Sequence, residues 1–329
     1  MGEYKIRYAA YEDIPEIQTF INENWKKNHI LARDKILFEW QYTSNKLDYV
    51  LGLDEVGKIQ GILGYISYDN NVQRDIALAM WKANSGCSFL GIKLLMFIMK
   101  HESYRVLFCS GINMATTKEI YERMGFTIGR MNQWYRLAKR KQYVIAKIEN
   151  PYIPEYSTCD EADLAEYKTM DELETDFKFD TYVDSNMVPY KSLTYLKRRY
   201  FEHPRYEYKV YGVKQAETKA VIVIRVQECN GSRAIRFVDC IGNIGQIANI
   251  TRAIDKLLEI KNAEYIDMYE AGVSGNMLRK AGWINLEETK NIVPNYFSPF
   301  EQSNVTVNYC TTDENIVLFR GDGDQDRPN

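Results

Sequence analysis

The chain has 329 residues, with 42 lysines and arginines against 45 aspartates and glutamates and a net charge of −3. That near balance argues against general nucleic-acid binding, which leaves a basic footprint, while 45% apolar and 26% charged residues fit a globular, soluble chain long enough for two domains. No apolar run approaches the roughly 18–20 residues of a membrane span, and the first residues, Met1 to Lys5, lack the apolar core of a signal peptide.

Residues 5–8 alternate as a first strand. Asp13 and Glu16 have the spacing of a capping box and Pro15 falls in the first turn, so a helix is expected to about Trp25. A second helical segment runs from about Arg33 to Tyr42. Residues 49–53 and 60–67 read as a hairpin, and Gly61 and Gly64 in its second strand mark a bulge or close packing. Residues 76–81 are the next strand. Leu90, Leu94, Leu95, Phe97 and Ile98 then share one helical face. A buried strand is expected over 104–109. An amphipathic helix from Thr116 to Met124 comes next, closed by Gly125 where a helix end favours a residue tolerant of positive φ. A last strand spans 131–137, and Pro151 and Pro154 make 149–155 a stiff linker.

The second half of the chain repeats this order. Residues 209–213 match 49–53, 220–226 mirror the strand at Gln60, and 235–240 mirror the strand at Ile76. Ile247, Ile250, Ile254, Leu257 and Leu258 form the next helical stripe, and 265–269 a strand. The agreement of several elements in order and spacing predicts a tandem duplication. The copies are not equivalent: Leu278 stands where Tyr121 stands in the first, and an aliphatic side chain donates no proton.

No nucleophilic triad, serine elbow, zinc-spaced cluster or full P-loop is present. Cys87, Cys109, Cys159, Cys229, Cys240 and Cys310 are scattered without a C-x-x-C pair and read as reduced thiols of a cytoplasmic protein. His29 titrates near neutral pH and Asp34 could orient it, or both belong to a polar loop with a helix cap at Asp34. Asp322, Asp324 and Asp326 have the D-x-D-x-D spacing of a calcium loop, but Arg327 replaces its turn glycine. A solvated tail is the default. The alternative is a tail tucked into the cleft between the halves, with Arg320 or Arg327 meeting an anionic ligand.

The run Tyr121, Glu122, Arg123, Met124, Gly125, Phe126 resembles the Y-E-x-x-G-F ending of GNAT acyltransferases. In that family the preceding helix opens with a phosphate loop, R/Q-x-x-G-x-G/A. Residues 86–91 match it here, with Gly91 fitting and Phe89 at a usual glycine position. The resemblance implies an α/β chain with mixed sheets in two tandem GNAT-like domains, a catalytic one over 1–148 and a degenerate one over 149–329. It implies acetyl-coenzyme A or another acyl-coenzyme A as co-substrate, no metal, and a small-molecule acceptor. Trp81, Ala83, Ser88, Phe89, Leu90 and Gly91 would bind the cofactor, its pyrophosphate at the helix start and its thioester oxygen at a main-chain amide within 79–83. Tyr121 would protonate the departing thiolate, and His29 or Asp34 would be the base or an acceptor contact. Trp40, Gln41 and Tyr42 would contact the acceptor.

The segment 29–42 and the tail resemble acyltransferase-like proteins of bacterial surface-polysaccharide pathways. That implies an amino sugar or sugar nucleotide as acceptor and is compatible with a homodimer. Attack would be direct, since no cysteine lies in an activating motif. Two other readings are compatible with the sequence: a tRNA-dependent aminoacyltransferase of tandem GNAT fold, and a non-catalytic binding or scaffolding protein.

Overall fold

The computed structural model describes residues 3–68, 74–157 and 161–328; Cys159 lies outside them. In chain order the first elements are β1 (Lys5–Tyr8), α1 (Ile14–Asn24), α2 (Ile30–Arg33), α3 (Lys35–Tyr42), β2 (Tyr49–Leu53), β3 (Ile59–Ser67), β4 (Arg74–Ala83), α4 (Leu90–His101), β5 (Tyr104–Ser110), α5 (Lys118–Arg123) and β6 (Thr127–Arg130). Then come β7 (Asn132–Leu137), β8 (Asp163–Tyr167), α6 (Met170–Asp176), α7 (Phe179–Tyr182), α8 (Leu193–Leu196), β9 (Lys209–Lys214), β10 (Thr218–Cys229) and β11 (Ser232–Gly242). The last are α9 (Thr251–Lys261), β12 (Tyr265–Ala271), α10 (Gly275–Lys280), β13 (Ile284–Asn285), β14 (Tyr296–Phe297), β15 (Phe300–Glu301), β16 (Asn308–Thr311) and β17 (Leu318–Phe319).

The chain divides into two units. The first comprises the described residues of Met1–Ile128, Tyr309–Glu314 and Gly323–Asn329. Its sheet has the order β1-β2-β3-β4-β5-β16-β6, with β4 and β5 parallel. Alternation along the strands feeds two cores. Tyr49, Leu51 and Leu53 join Ile14, Ile17, Phe20, Leu37 and Phe38 on one face. Val50, Leu63 and Tyr65 join Leu90, Leu94, Leu95 and Ile98 on the other. Burying each of those α4 side chains contributes about 1.5–3 kcal/mol. α4 lies so close to the sheet that a Cβ on Gly52 would come within 2.6 Å of Leu90. Gly61, expected to mark close packing or a bulge, lies beneath Leu90 and Leu94 in the same way. The capping box does not form: Asp13 pairs with Arg7 at 2.6 Å and accepts the Ala10 N–H, while Glu16 accepts from Ile59.

The second unit comprises Gly129–Asn308 and Asn315–Asp322. Its sheet has the order β13-β7-β12-β11-β10-β9-β8, and β11 and β12 are its parallel pair. The duplication is visible in these orders: each sheet carries a run of four strands, a parallel fifth, and an antiparallel strand beyond it. The strand in that last position comes from elsewhere in the chain. β7 pairs with β12 over six registers, from Tyr265 opposite Leu137 to Glu270 opposite Asn132, and β16 takes the place beside β5. The expected cut at 148/149 is therefore displaced. Residues 129–148 group with the second unit because β7 hydrogen-bonds there, and 309–314 and 323–328 group with the first.

Candidate active site

β4 and β5 run as a parallel ladder only as far as Ala77 opposite Phe108. β4 then continues to Ala83 with no further register against β5 among the described residues. It kinks at Met80, whose φ is +50°, and the β3–β4 register slips between Ile62 and Gly64. Such a bulge re-aims a strand and frees main-chain groups. The strands part around a cleft of about 440 Å³, lined by Leu78–Lys82 of β4, Cys109–Asn113 at the end of β5, and Thr116, Thr117 and Tyr121.

Tyr121 is 1% exposed. Its ring meets Trp81 at 5.3 Å and Phe126 at 5.1 Å between centroids, both edge-to-face. Burial, and then the neighbouring Cys109 and Cys310 thiols, raise its pKa well above the usual phenol value. The group is a neutral O–H donor at pH 7. Burial likewise pushes the Cys109 thiol up to about 12.

Trp81 links the cleft to the start of α4, donating its indole N–H to the Gly91 carbonyl at 3.1 Å. Ser88 and Phe89 are exposed just ahead of that helix. Phe89 holds φ +64°, the left-handed conformation expected of the glycine it replaces. A helix of 12 residues presents free amides and a positive dipole end there. Leu90 is core, and its N–H donates to the Cys87 carbonyl at 3.2 Å. Gly91 packs against the Trp81 ring, where a Cβ would stand 3.3 Å from the indole nitrogen. Ala83 is half-buried on β4.

The tail is not solvated. Asp322, Asp324 and Asp326 are all buried. Asp324, Gln325 and Arg327 line the cleft of the first unit. Gly323 donates its N–H to the Tyr68 hydroxyl at 2.9 Å, Gln325 donates its side-chain amide to the Ser110 carbonyl at 2.9 Å, and Arg327 pairs with Asp324. Gly111, at φ +81°, has the Gln325 amide where a Cβ would be, 2.2 Å away. The Ser110 hydroxyl is buried at the cleft wall with no hydrogen-bond partner among the described residues.

The expected base and acceptor contacts are corrected by their surroundings. His29 caps α2, its Nδ1 accepting the Leu31 N–H at 3.2 Å. Burial, and then the charges of Arg327, Lys26 and Arg33, drive its pKa down to about 3. It is neutral at pH 7 with one nitrogen already used as a helix cap, which weighs against the expected role of general base. Asp34 caps α3 by accepting the Leu37 N–H at 3.0 Å. Gln41 and Tyr42 are buried, Tyr42 packing edge-on against Tyr49 at 4.9 Å, and Trp40 packs on the same core. Gln41 and Tyr42 are beneath the surface, and Trp40 is half-buried against the core.

The corresponding parting of strands in the second unit is filled. β11 and β12 pair from Ile235 to Phe237. Beyond that, β17 pairs with the end of β12, and Gly321 donates its N–H to the Val238 carbonyl at 2.7 Å. Lys191 meets Asp239 at 2.5 Å and Asp322 at 3.0 Å, and Tyr200 donates to Asp239 at 2.5 Å. Leu278 is fully buried on α10.

Sequence reasoning does not find Gln325 in the cleft wall, nor Cys310 opposite Cys109. Their partners lie about two hundred positions away, and no local pattern reports that. The other described cysteines, Cys87, Cys229 and Cys240, are free thiols, as are Cys109 and Cys310.

No family model matches the chain, and no curated protein matches it. Its fold is that of solved GCN5-related N-acetyltransferases. One from Anabaena variabilis is 8% identical with a TM-score of 0.56, covering 94% of this chain and 72% of that one. One from Kribbella flavida is 7% identical with a TM-score of 0.55, covering 94% and 71%. A conserved protein of unknown function from Enterococcus faecalis is 8% identical with a TM-score of 0.57, covering 93% and 72%. At these identities the likeness shows the fold, two mixed α/β sheets in tandem, and nothing finer.

Proposed function

We propose that the first unit transfers an acyl group from a coenzyme A thioester to an amine or hydroxyl of a small acceptor. The observation that carries this reading is the asymmetry of the two copies. The first keeps its strands parted around an open cleft with a neutral tyrosine in the wall, and the second fills the same gap with its own chain.

Strand alternation supports a division of the cleft into two sides. Tyr121 belongs with α4 on one face of the sheet, so the donor lies on that side. Its pyrophosphate would meet the amides of Ser88, Phe89 and Gly91, the Leu90 N–H being taken by the Cys87 carbonyl at 3.2 Å, and its carbonyl the main chain near Trp81 and Ala83. Ser110 follows Cys109 on β5 and faces the other way, toward the tail, which is the acceptor side. Among the described residues Asp324 is the one carboxylate lining the cleft, and it would take the proton the attacking amine loses. The acyl carbon gains a bond to nitrogen and loses its bond to sulfur, and the thiolate leaves with a proton delivered through Tyr121.

A phenol pKa well above 10 favours a strong hydrogen bond to the developing thiolate over early proton loss. An amino sugar or sugar nucleotide remains the acceptor class, supported by the sequence resemblance, and a cytoplasmic setting by the cysteine pattern. The second unit would be a non-catalytic half. Release of free coenzyme A in the presence of an amine acceptor tests the reading. Tyr121→Phe should lower kcat about a hundredfold, within the usual range for a lost acid catalyst, and keep acyl-coenzyme A binding. Wild-type kcat in that variant would remove Tyr121 from the chemistry.

A further inference from the structure

We infer that the acceptor is an amine that carries its own anion, a phosphate or carboxylate, and that Lys82 holds that anion on the acceptor side of the cleft. This rests on the acyl-transfer reading above and narrows its acceptor class to the acidic member, a sugar phosphate or nucleotide in place of a free amino sugar. Lys82 lines the cleft, and its register gives the side to which it belongs. It stands directly opposite Ile62 in the antiparallel pair of β3 and β4. Directly opposed residues project to one face, and Ile62 packs with Phe20, Leu37 and Met80 in the core beneath α1 and α3. The next residue, Ala83, stands opposite Gly61 and packs on the α4 side. Lys82 is therefore across the sheet from the α4 amides.

The tail lies on the same face as Lys82. Ala77 alternates with Ile76 and Leu78, which pack on the α4 side. A Cβ on Gly323 would stand 3.8 Å from the Ala77 Cβ and 3.9 Å from the Ser110 Oγ. The charged side chains lining the cleft are Lys82, Asp324 and Arg327. Asp324 and Arg327 pair with each other. The half-buried Lys82 has no ion pair or side-chain hydrogen bond among the described residues, so the wall carries one cation in excess. A free amino sugar is itself a cation at pH 7 and gains nothing from such a wall. An acceptor with an anion beside its amine neutralises Lys82 and brings the amine toward Asp324. Lysine takes a phosphate as a point charge, and a cleft lined by one sign of charge concentrates ligands of the other. The Ser110 hydroxyl, 4% exposed and unpartnered among the described residues, is a second polar group at this wall that a ligand oxygen would satisfy. Trp25, 42% exposed and also lining the cleft, offers a sugar ring an apolar face.

The test is calorimetric titration of the full chain, with and without coenzyme A, on wild type, Lys82→Met and Lys82→Arg. The probes are glucosamine, glucosamine 1-phosphate and glucosaminic acid. Wild type should bind the phosphate at least about tenfold tighter than glucosamine, the usual weight of one hydrogen bond to a charged group. The advantage should shrink as salt is added. Lys82→Met should lose it while glucosamine and acyl-coenzyme A affinities stay within about twofold, and Lys82→Arg should keep most of it. An equal advantage for glucosaminic acid would extend the site to carboxylates, and one confined to the phosphate would assign it to sugar phosphates. Equal affinity for all three probes, an advantage that survives Lys82→Met, or no binding of either anionic amine at millimolar concentration would overturn the inference. So would a loss in Lys82→Met confined to acyl-coenzyme A, which would put Lys82 on the donor side. No acyl group is present in these titrations, so their outcome is separate from turnover. A Lys82-dependent advantage in a chain that releases no coenzyme A from its thioester keeps the anion site and removes the acyl-transfer reading.

Discussion

The Gly321 N–H reaches the Val238 carbonyl at 2.7 Å, and with that bond the chain crosses the gap at which the parallel strands of the second unit part. The segment is held by a buried charge cluster. Lys191 is the cation between Asp239 and Asp322, and all three are buried. Replacing Lys191 by methionine removes the cation that the two carboxylates share. The expected loss is about 3–5 kcal/mol, the usual cost of breaking a buried pair, read by urea unfolding. A loss below about 1 kcal/mol would show that the cluster does not hold the segment.

On the other side of the duplication, Gly111 and Gln325 form a testable pair. Gly111→Ala must place a Cβ where the Gln325 amide lies and adopt a positive φ, so a loss of about 1–3 kcal/mol is expected. Gln325→Ala in the same chain should recover the steric part and leave the backbone part. A double-mutant cycle with no coupling would refute the seating of the tail in the cleft.

His29 gives a pH signature. Its pKa is about 3 in the folded protein against about 6.5 unfolded. The unfolded state therefore binds more protons between these values. Stability from this group is full above about pH 6.5 and is lost as pH falls toward 3. Wild-type unfolding free energy should decline over that window by an amount on the order of 5 kcal/mol. In His29→Gln the decline should flatten, and the pH profile of kcat should not move. A kcat limb that disappears with His29 would restore it as a base.

Ser110 and Asp324 test the acceptor side. Ser110→Ala should raise the acceptor KM about three- to tenfold with little change in kcat, as expected for loss of one binding hydrogen bond. Asp324→Asn should lower kcat by at least about tenfold, as for a lost general base. A change confined to the acyl-coenzyme A KM would place both residues on the donor side instead.

Much of the fold is legible in the sequence because its signals are local. The stripe of Leu90, Leu94, Leu95 and Ile98 is the buried face of α4, and Gly125 closes α5 at φ +85°. Tyr121 can be singled out for the same reason. The features that are not legible depend on partners far along the chain. Periodicity identifies 131–137 as a strand but does not say which sheet it joins, so a boundary drawn at the proline linker separates β7 from the sheet it pairs with. An aspartate-rich tail reads as solvated because its counter-ions and donors, Lys191 and Tyr68, are over a hundred positions away. His29 reads as titratable until its burial and the Leu31 N–H on its Nδ1 are seen. Trp40, Gln41 and Tyr42 read as a sugar platform because aromatic composition does not distinguish a surface from a core.

One copy of the duplicated fold is open and the other is closed, and calorimetric titration with acetyl-coenzyme A separates that arrangement from its alternatives. Wild type is measured beside Ser88→Glu, a change at an exposed position that puts a negative charge at the α4 amides. One site per chain is expected, weakened at least about tenfold in Ser88→Glu by charge repulsion of the pyrophosphate. Binding at two sites, or at one site indifferent to Ser88→Glu, is incompatible with a single open copy that holds the donor at α4. So is the absence of binding at millimolar ligand.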